Sequence, residues 1–113
     1  MNDDKNNDNS FWSSARGLLQ ELLDECKQKL DSESIKEVQH YITHDEYEMA
    51  FEGMFLELIK LGYYPEAICS NKYIGLGKSL RLDIESVFSP DFWTSYRQYC
   101  KIRKVNLSSK NAM

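Results

Sequence analysis

The stretch EVQHYITHDEYEMAFEGMFLELIKLGYY, residues 37–64, decides the fold because it holds a polar turn between two segments of helical periodicity. After the turn, apolar residues recur at three- and four-residue steps, which places them on one face of an α-helix. These residues are Tyr47, Ala50, Phe51, Met54, Phe55, Leu58 and Leu61. Gly62 then supplies the residue that commonly ends a helix in the left-handed conformation. We therefore expect a central amphipathic helix that ends at Leu61.

The turn itself carries a helix start signal. Thr43 and Glu46 have the S/T-x-x-E spacing of a capping box. In this motif the Thr43 hydroxyl accepts from the backbone N–H of Glu46, and the Glu46 carboxylate accepts from the backbone N–H of Thr43. Before the turn, a shorter helix is predicted, with Ser32 or Ser34 as its N-cap. Its apolar face consists of Ile35, Val38, Tyr41 and Ile42.

Helical periodicity also extends towards the N-terminus. A first helix is predicted to end near Asp31, because apolar residues again recur at three- and four-residue steps. They are Trp12, Ala15, Leu18, Leu19, Leu22, Leu23, Cys26 and Leu30.

Two further helices are predicted towards the C-terminus. Ser70 or Asn71 can cap a helix with the inner face Tyr73, Ile74, Gly77 and Leu80. Gly75 and Gly77 weaken this helix by about 1 kcal/mol each relative to Ala, so it is either a marginal helix held by packing or one that another helix or a partner approaches closely. Ser89, Pro90 and Asp91 together give a strong start signal for a last helix.

The length of 113 residues is that of one domain with one modest core. No segment alternates convincingly with period two, so we predict an all-α, single-domain bundle of about five helices. Residues 1–10 and 106–113 are polar and are expected to be tails, the first of them disordered, around a helical domain at 11–105.

Composition and motifs argue against several functions. No apolar h-region or span of about 18 apolar residues occurs, so a cytoplasmic protein without a membrane segment is expected. Cys26, Cys69 and Cys100 have no C-x-x-C spacing, and we expect reduced thiols rather than a disulfide framework or a zinc site. His40 and His44 lack a third ligand, and nothing fixes a nucleophile with its base. We expect neither a catalytic site nor a cofactor.

Charge is divided unevenly along the chain, although the formal net charge is only −4. Residues 21–57 carry eleven acidic and three basic residues, whereas residues 58–113 carry nine basic and four acidic ones. Such asymmetry either steers a charged partner or gives two ordinary solvated faces. Asp45, Glu48 and Glu52 are expected to project from the central helix on the side opposite its apolar stripe, where a Lys- and Arg-rich partner would relieve their repulsion.

The sequence resembles the MafI-type immunity proteins of bacterial polymorphic and contact-dependent growth inhibition toxin systems, over residues 18–83. The matching pieces are LLQELL at 18–23, VQHYI at 38–42, DEYEMA at 45–50, LEL at 56–58 and the following helix at 71–83. Gly75, Gly77 and the extra helix over 89–105 depart from that pattern. The resemblance implies a non-enzymatic protein that binds the toxin C-terminal domain encoded beside it, in many such systems a nuclease with a cationic surface, and blocks its active site or substrate channel.

We therefore expect a toxin-binding acidic surface with aromatic anchors. Its residues are Glu37, Tyr41, His44, Asp45, Glu46, Glu48, Glu52 and Tyr63. The main alternative is a helical nucleic-acid-binding regulator that uses the basic last helix, where Arg97, Lys101 and Lys104 share a face. The negative net charge opposes direct nucleic-acid binding, and a small adaptor unrelated to toxins is a third possibility.

Overall fold

The computed structural model describes residues 2–65 and 71–112, and it describes the side chains of 13–65 and 71–102. Within these residues the chain forms five helices and no strand. The helices are α1 (Asn2–Cys26), α2 (Ser32–Thr43), α3 (Tyr47–Leu61), α4 (Asn71–Ser79) and α5 (Phe92–Ala112). The prediction of a small all-α domain is therefore confirmed. α1 begins at Asn2 and α5 continues to Ala112, so residues 2–10 and 106–112 of the two expected tails are helical.

Helix α3 lies at the centre of the bundle, because α1, α2 and α5 all contact it. The predicted stripe is buried apart from Leu61, which is 51% exposed. Phe51 and Phe55 pack against Tyr96 of α5, with ring centroids 5.5 and 4.7 Å apart. Complete burial of an apolar side chain contributes about 1.5–3 kcal/mol, so this aromatic cluster is a main source of stability. Gly62 ends α3 in the left-handed conformation, as predicted.

The predicted capping box at the α2–α3 turn is wrong. α2 continues through Thr43, whose helical backbone cannot take the extended conformation of an N-cap. The N–H of Glu46 instead donates to the carbonyl of Tyr41 at 2.8 Å, and the N–H of Asp45 to that of Ile42 at 3.2 Å. With Asp45 at φ 61°, this is a Schellman ending of α2.

Arg16 of α1 stabilises the same turn. Its Nη2 donates to the carbonyls of Ile42 and Thr43 at 3.4 and 3.1 Å and lies 3.5 Å from the Asp45 carboxylate. A cation is favourable at this position because the carbonyls at a helix C-terminus carry partial negative charge.

Helix α2 begins with a different cap from the one predicted. Asp31, rather than Ser32 or Ser34, is the N-cap, and its carboxylate accepts from the N–H of Ser34 at 2.7 Å. This hydrogen bond lowers the pKa of Asp31. A carboxylate is also favoured there by the helix dipole.

Helix α4 packs through Tyr73, Leu76 and Gly77, and the sequence pattern had missed Leu76. The hydroxyl of Tyr73 donates to the carbonyl of Leu18 at 3.2 Å and so ties α4 to α1. After α4, Arg81 takes a left-handed φ of 64°, which turns the chain into the connection to α5.

At Gly77, α4 packs tightly against the Trp93 side chain of α5. A methyl group built there would lie 2.5 Å from Cζ3 of Trp93 and 3.0 Å from Cζ of Phe51, whereas nothing lies within 4 Å of one at Gly75. The close packing of Trp93 from α5 therefore explains why position 77 has no side chain. Gly75 has no such contact.

The two glycines give a matched pair of substitutions. Gly77→Ala is expected to destabilise the protein by about 1–3 kcal/mol, because the methyl group displaces the Trp93 ring. Gly75→Ala is expected to stabilise it by up to about 1 kcal/mol through higher helix propensity. Urea unfolding of both variants checks this, and equal effects would contradict the packing of Trp93 on Gly77.

The cysteines differ in state. Cys26 is a buried free thiol, whereas Cys100 is disulfide-bonded. The expectation of reduced thiols is therefore wrong for Cys100, and disulfides are uncommon in the reducing cytosol. Cys69 lies outside the described residues.

The Cys26 thiol makes a testable contribution to the pH dependence of stability. Burial raises its pKa to about 12, while an unfolded chain ionises this group near pH ~8.5. Above that pH only the unfolded state loses the proton, so the free energy of unfolding falls by up to about 1.4 kcal/mol per pH unit until about pH 12. Urea unfolding between pH 8 and 10.5 should show a shallower decline for Cys26→Ala than for the unaltered protein, and parallel curves would contradict this assignment.

Candidate interaction surface

Glu52 is the one predicted surface residue whose position the structure contradicts. Its side chain is 0% exposed, although it was expected among the acids opposite the apolar stripe. One carboxylate oxygen accepts from the N–H of Val87 at 2.7 Å, and the other accepts from the N–H groups of Phe88 and Ser89 at 2.8 and 2.7 Å. Glu52 therefore fixes the loop between α4 and α5 onto the central helix.

The burial of Glu52 has a clear physical reason. Residues 87–89, in the connection between α4 and α5, lie against the side of α3 that carries Glu52, which helical periodicity alone assigns to solvent. Three consecutive N–H groups on this connection converge on the carboxylate, an arrangement that stabilises an anion. Charge-assisted hydrogen bonds of this kind contribute about 1.5–3 kcal/mol each and offset the cost of removing the charge from water.

The same loop presents apolar side chains to solvent. Ile84, Val87 and Phe88 are 73%, 42% and 49% exposed. The backbone of Val87 and Phe88 is nevertheless held by Glu52. These two side chains are therefore exposed on a fixed backbone, and they extend into two neighbouring grooves.

The first groove, here called the turn groove, lies beside the α2–α3 turn and has a volume of about 390 Å³. It is lined by Asp45, Glu46, Glu48, Met49, Leu80, Arg81, Glu85, Ser86 and Val87. Four of these residues are acidic and one is basic, so the groove favours a cationic ligand. Asp45 is already engaged, since it accepts from the Tyr47 hydroxyl at 2.8 Å and lies near Arg16. Burial and the Asp45 carboxylate raise the pKa of Tyr47.

The second groove, here called the aromatic groove, lies between α2 and α3 and has a volume of about 170 Å³. It is lined by Ser34, Glu37, Val38, Tyr41, Gly53, Leu56, Glu57 and Phe88. The rings of Tyr41 and Phe88 lie 6.2 Å apart at 39°. This groove combines an apolar floor with the carboxylates of Glu37 and Glu57.

Five of the eight predicted site residues are divided between these two grooves. Glu37 and Tyr41 line the aromatic groove, and Asp45, Glu46 and Glu48 line the turn groove. His44 and Tyr63 line neither groove. The exposed His44 donates from Nδ1–H to the His40 carbonyl at 2.8 Å and packs on the His40 ring, with centroids 4.1 Å apart. Tyr63 lies at the other end of α3, where Lys29 Nζ is 5.4 Å from its ring centroid.

Sequence reasoning missed Gly53, Glu57, Glu85, Val87 and Phe88 as groove residues. A usable signal was present in the segment IESVF at 84–88, whose apolar residues lack helical spacing and immediately precede a proline-containing helix start. Such residues either fold into the core or remain exposed on a loop. The pattern does not distinguish these outcomes, because the position of the loop depends on its contact with Glu52.

Among the side chains described, those of residues 13–65 and 71–102, no group of three or more His, Cys, Asp and Glu could hold a metal ion. No helix within 2–65 and 71–112 is long and apolar enough to cross a membrane. Comparison of the chain with models of protein families, with curated proteins and with solved structures finds no match.

The contact of Glu52 with the loop can be tested by an isosteric change. Glu52→Gln is expected to destabilise the protein by about 2–4 kcal/mol, because the amide NH₂ would face a backbone N–H and the charge is lost. Glu48→Gln, on an exposed residue of the same helix, should change stability by less than about 0.5 kcal/mol. Thermal and urea unfolding of both variants provide the measurement, and equal stabilities would contradict the role of Glu52.

Proposed function

We propose that this protein is an immunity protein that binds a bacterial toxin domain and neutralises it by covering its active site or substrate-binding surface. The proposal starts from the resemblance to MafI-type proteins and is supported by one observation above all. The turn groove places Glu46, Glu48 and Glu85 beside one another at the surface, with Arg81 as the one basic residue among those that line it. A toxin that binds nucleic acid needs a cationic surface, and this groove is complementary to such a surface.

The physical role of the acids is to guide and orient the partner. Exposed carboxylates around a groove raise the association rate of a cationic protein, and the effect weakens as salt is added. The neighbouring exposed apolar side chains of Val87 and Phe88 supply contact area that lowers the dissociation rate. The protein acts by binding alone, without a cofactor and without catalysis. We place it in the cytoplasm of the bacterium that it protects, where the disulfide at Cys100 would be an uncommon feature.

The first experiment identifies the partner through its gene. The reading frame next to that of this protein should encode a large secreted protein with a variable C-terminal domain. That domain, produced separately, should form a tight 1:1 complex with this protein and lose its toxic activity, which is expected to be that of a nuclease. Size-exclusion chromatography with light scattering and a nuclease assay give the two measurements, and the absence of a complex would contradict the proposal.

Charge reversal tests whether the turn groove guides the toxin. Glu48→Lys combined with Glu85→Lys is expected to slow association by about tenfold or more at low ionic strength and by less at high salt. The matched control is Glu21→Lys combined with Glu25→Lys, which changes the net charge by the same amount. Both residues are exposed on α1 and lie outside the turn groove. Stopped-flow association at two salt concentrations provides the measurement. Equal slowing by both pairs would show that net charge alone matters.

A second function is favoured by a different observation. Arg97 and Lys101 of α5 are exposed and four residues apart, so they lie on one helix face and could contact phosphates. A nucleic-acid-binding regulator would use this face. Retention of the protein on duplex DNA at physiological salt, abolished by Arg97→Glu with Lys101→Glu, would favour the regulator over the immunity protein.

A further inference from the structure

We infer that the aromatic groove binds one apolar side chain of a partner protein segment whose neighbouring residues are Lys or Arg. This inference rests on the proposed function for the identity of the natural partner. It adds which groove anchors the complex and what kind of segment the groove binds. It does not depend on the turn groove, because the residues that line the two grooves are different.

The absence of a side chain at Gly53 opens the groove. A methyl group built there would lie 3.7 Å from Cε2 of Phe88 and 4.0 Å from Cε2 of Tyr41, both ordinary contact distances. The two rings therefore stand over bare helix backbone, with Val38 and Leu56 beside them. The volume of about 170 Å³ is below the ~300–1,000 Å³ of pockets that take whole small molecules, and it suits a single side chain.

The groove is held in its binding shape before any partner arrives. Glu52 accepts from the N–H of Phe88, so the backbone that carries this exposed ring is fixed. Tyr41 lies on α2 and Gly53 on α3, which pack against each other. A site that is already ordered loses little conformational entropy on binding. Exposed aromatic side chains in such a site are typical anchors of protein interfaces.

Charge selects the kind of segment. Glu37 and Glu57 line the groove, and no basic residue is among the described residues that line it. An apolar side chain flanked by Lys or Arg satisfies both the apolar floor and these carboxylates. Acidic peptides and nucleic acids are repelled by the same carboxylates.

The inference is tested with synthetic peptides, without the toxin. An acetylated and amidated hexapeptide of two central leucines with two lysines on each side is titrated into the ¹⁵N-labelled protein. Amide resonances of Tyr41, Gly53 and Phe88 should shift, with a dissociation constant of about 1 mM or lower. Two control peptides, one with serines in place of the leucines and one with glutamates in place of the lysines, should bind at least about fivefold more weakly.

Three variants locate the binding site on the protein. Phe88→Ser should weaken binding of the leucine–lysine peptide by about tenfold, whereas Leu61→Ser, which removes a similarly exposed apolar side chain at the end of α3, should not change it. Gly53→Ala should also weaken binding because its methyl group occupies the groove floor. This variant should not unfold, since alanine favours helix more than glycine does.

The outcomes separate this inference from the proposed function. Shifts confined to other surfaces, equal binding of all three peptides, or unchanged binding to Phe88→Ser and Gly53→Ala would overturn the inference, even if the toxin domain still forms a complex. Peptide binding in the groove together with no toxin complex would support the inference and contradict the proposed function.

Discussion

The hydrogen bonds from Val87, Phe88 and Ser89 to the Glu52 carboxylate determine how the second half of the chain lies on the first. A charged group leaves water only where several donors replace its hydration. Three backbone donors from one short loop meet that requirement and fix the position of the loop. The start of α5 follows directly, and with it the position of Phe92 and Tyr96 against α3.

The contact between Glu52 and the loop explains why the surface of this α-helical bundle combines exposed apolar side chains with acidic ones. The contacts of α1, α2 and α5 and the α4–α5 loop surround the central helix, so little of it remains for solvent. The loop covers Glu52 and in turn exposes Val87 and Phe88. Each exposed side chain contributes to one groove. Acids of α2 and α3 line the aromatic groove, and acids of the α2–α3 turn, α3 and the α4–α5 loop line the turn groove. An apolar and acidic surface held on a fixed backbone is well suited to binding a basic protein.

The sequence predicted most of the helices because their signals are local. These local signals are the α1 stripe from Ala15 to Cys26, the α3 stripe apart from Leu61 and the ending at Gly62, and the structure confirms them. The first helix ends at Cys26 rather than near Asp31 as predicted. The caps were less predictable. Thr43 and Glu46 have the spacing of a capping box, but α2 continues through Thr43 and ends in a Schellman motif instead. Several residues near a turn can serve as caps, and packing between helices decides among them.

By itself, the sequence determined the all-α class, the central position of the 47–61 helix and the acidic character of the surface near the turn. Only the tertiary structure decided which of those acids reach solvent, because the burial of Glu52 depends on backbone donors more than 30 positions away in the chain. The same applies to Gly77, whose lack of a side chain is explained by Trp93 of α5. Periodicity describes one helix at a time, whereas burial depends on everything that packs against it.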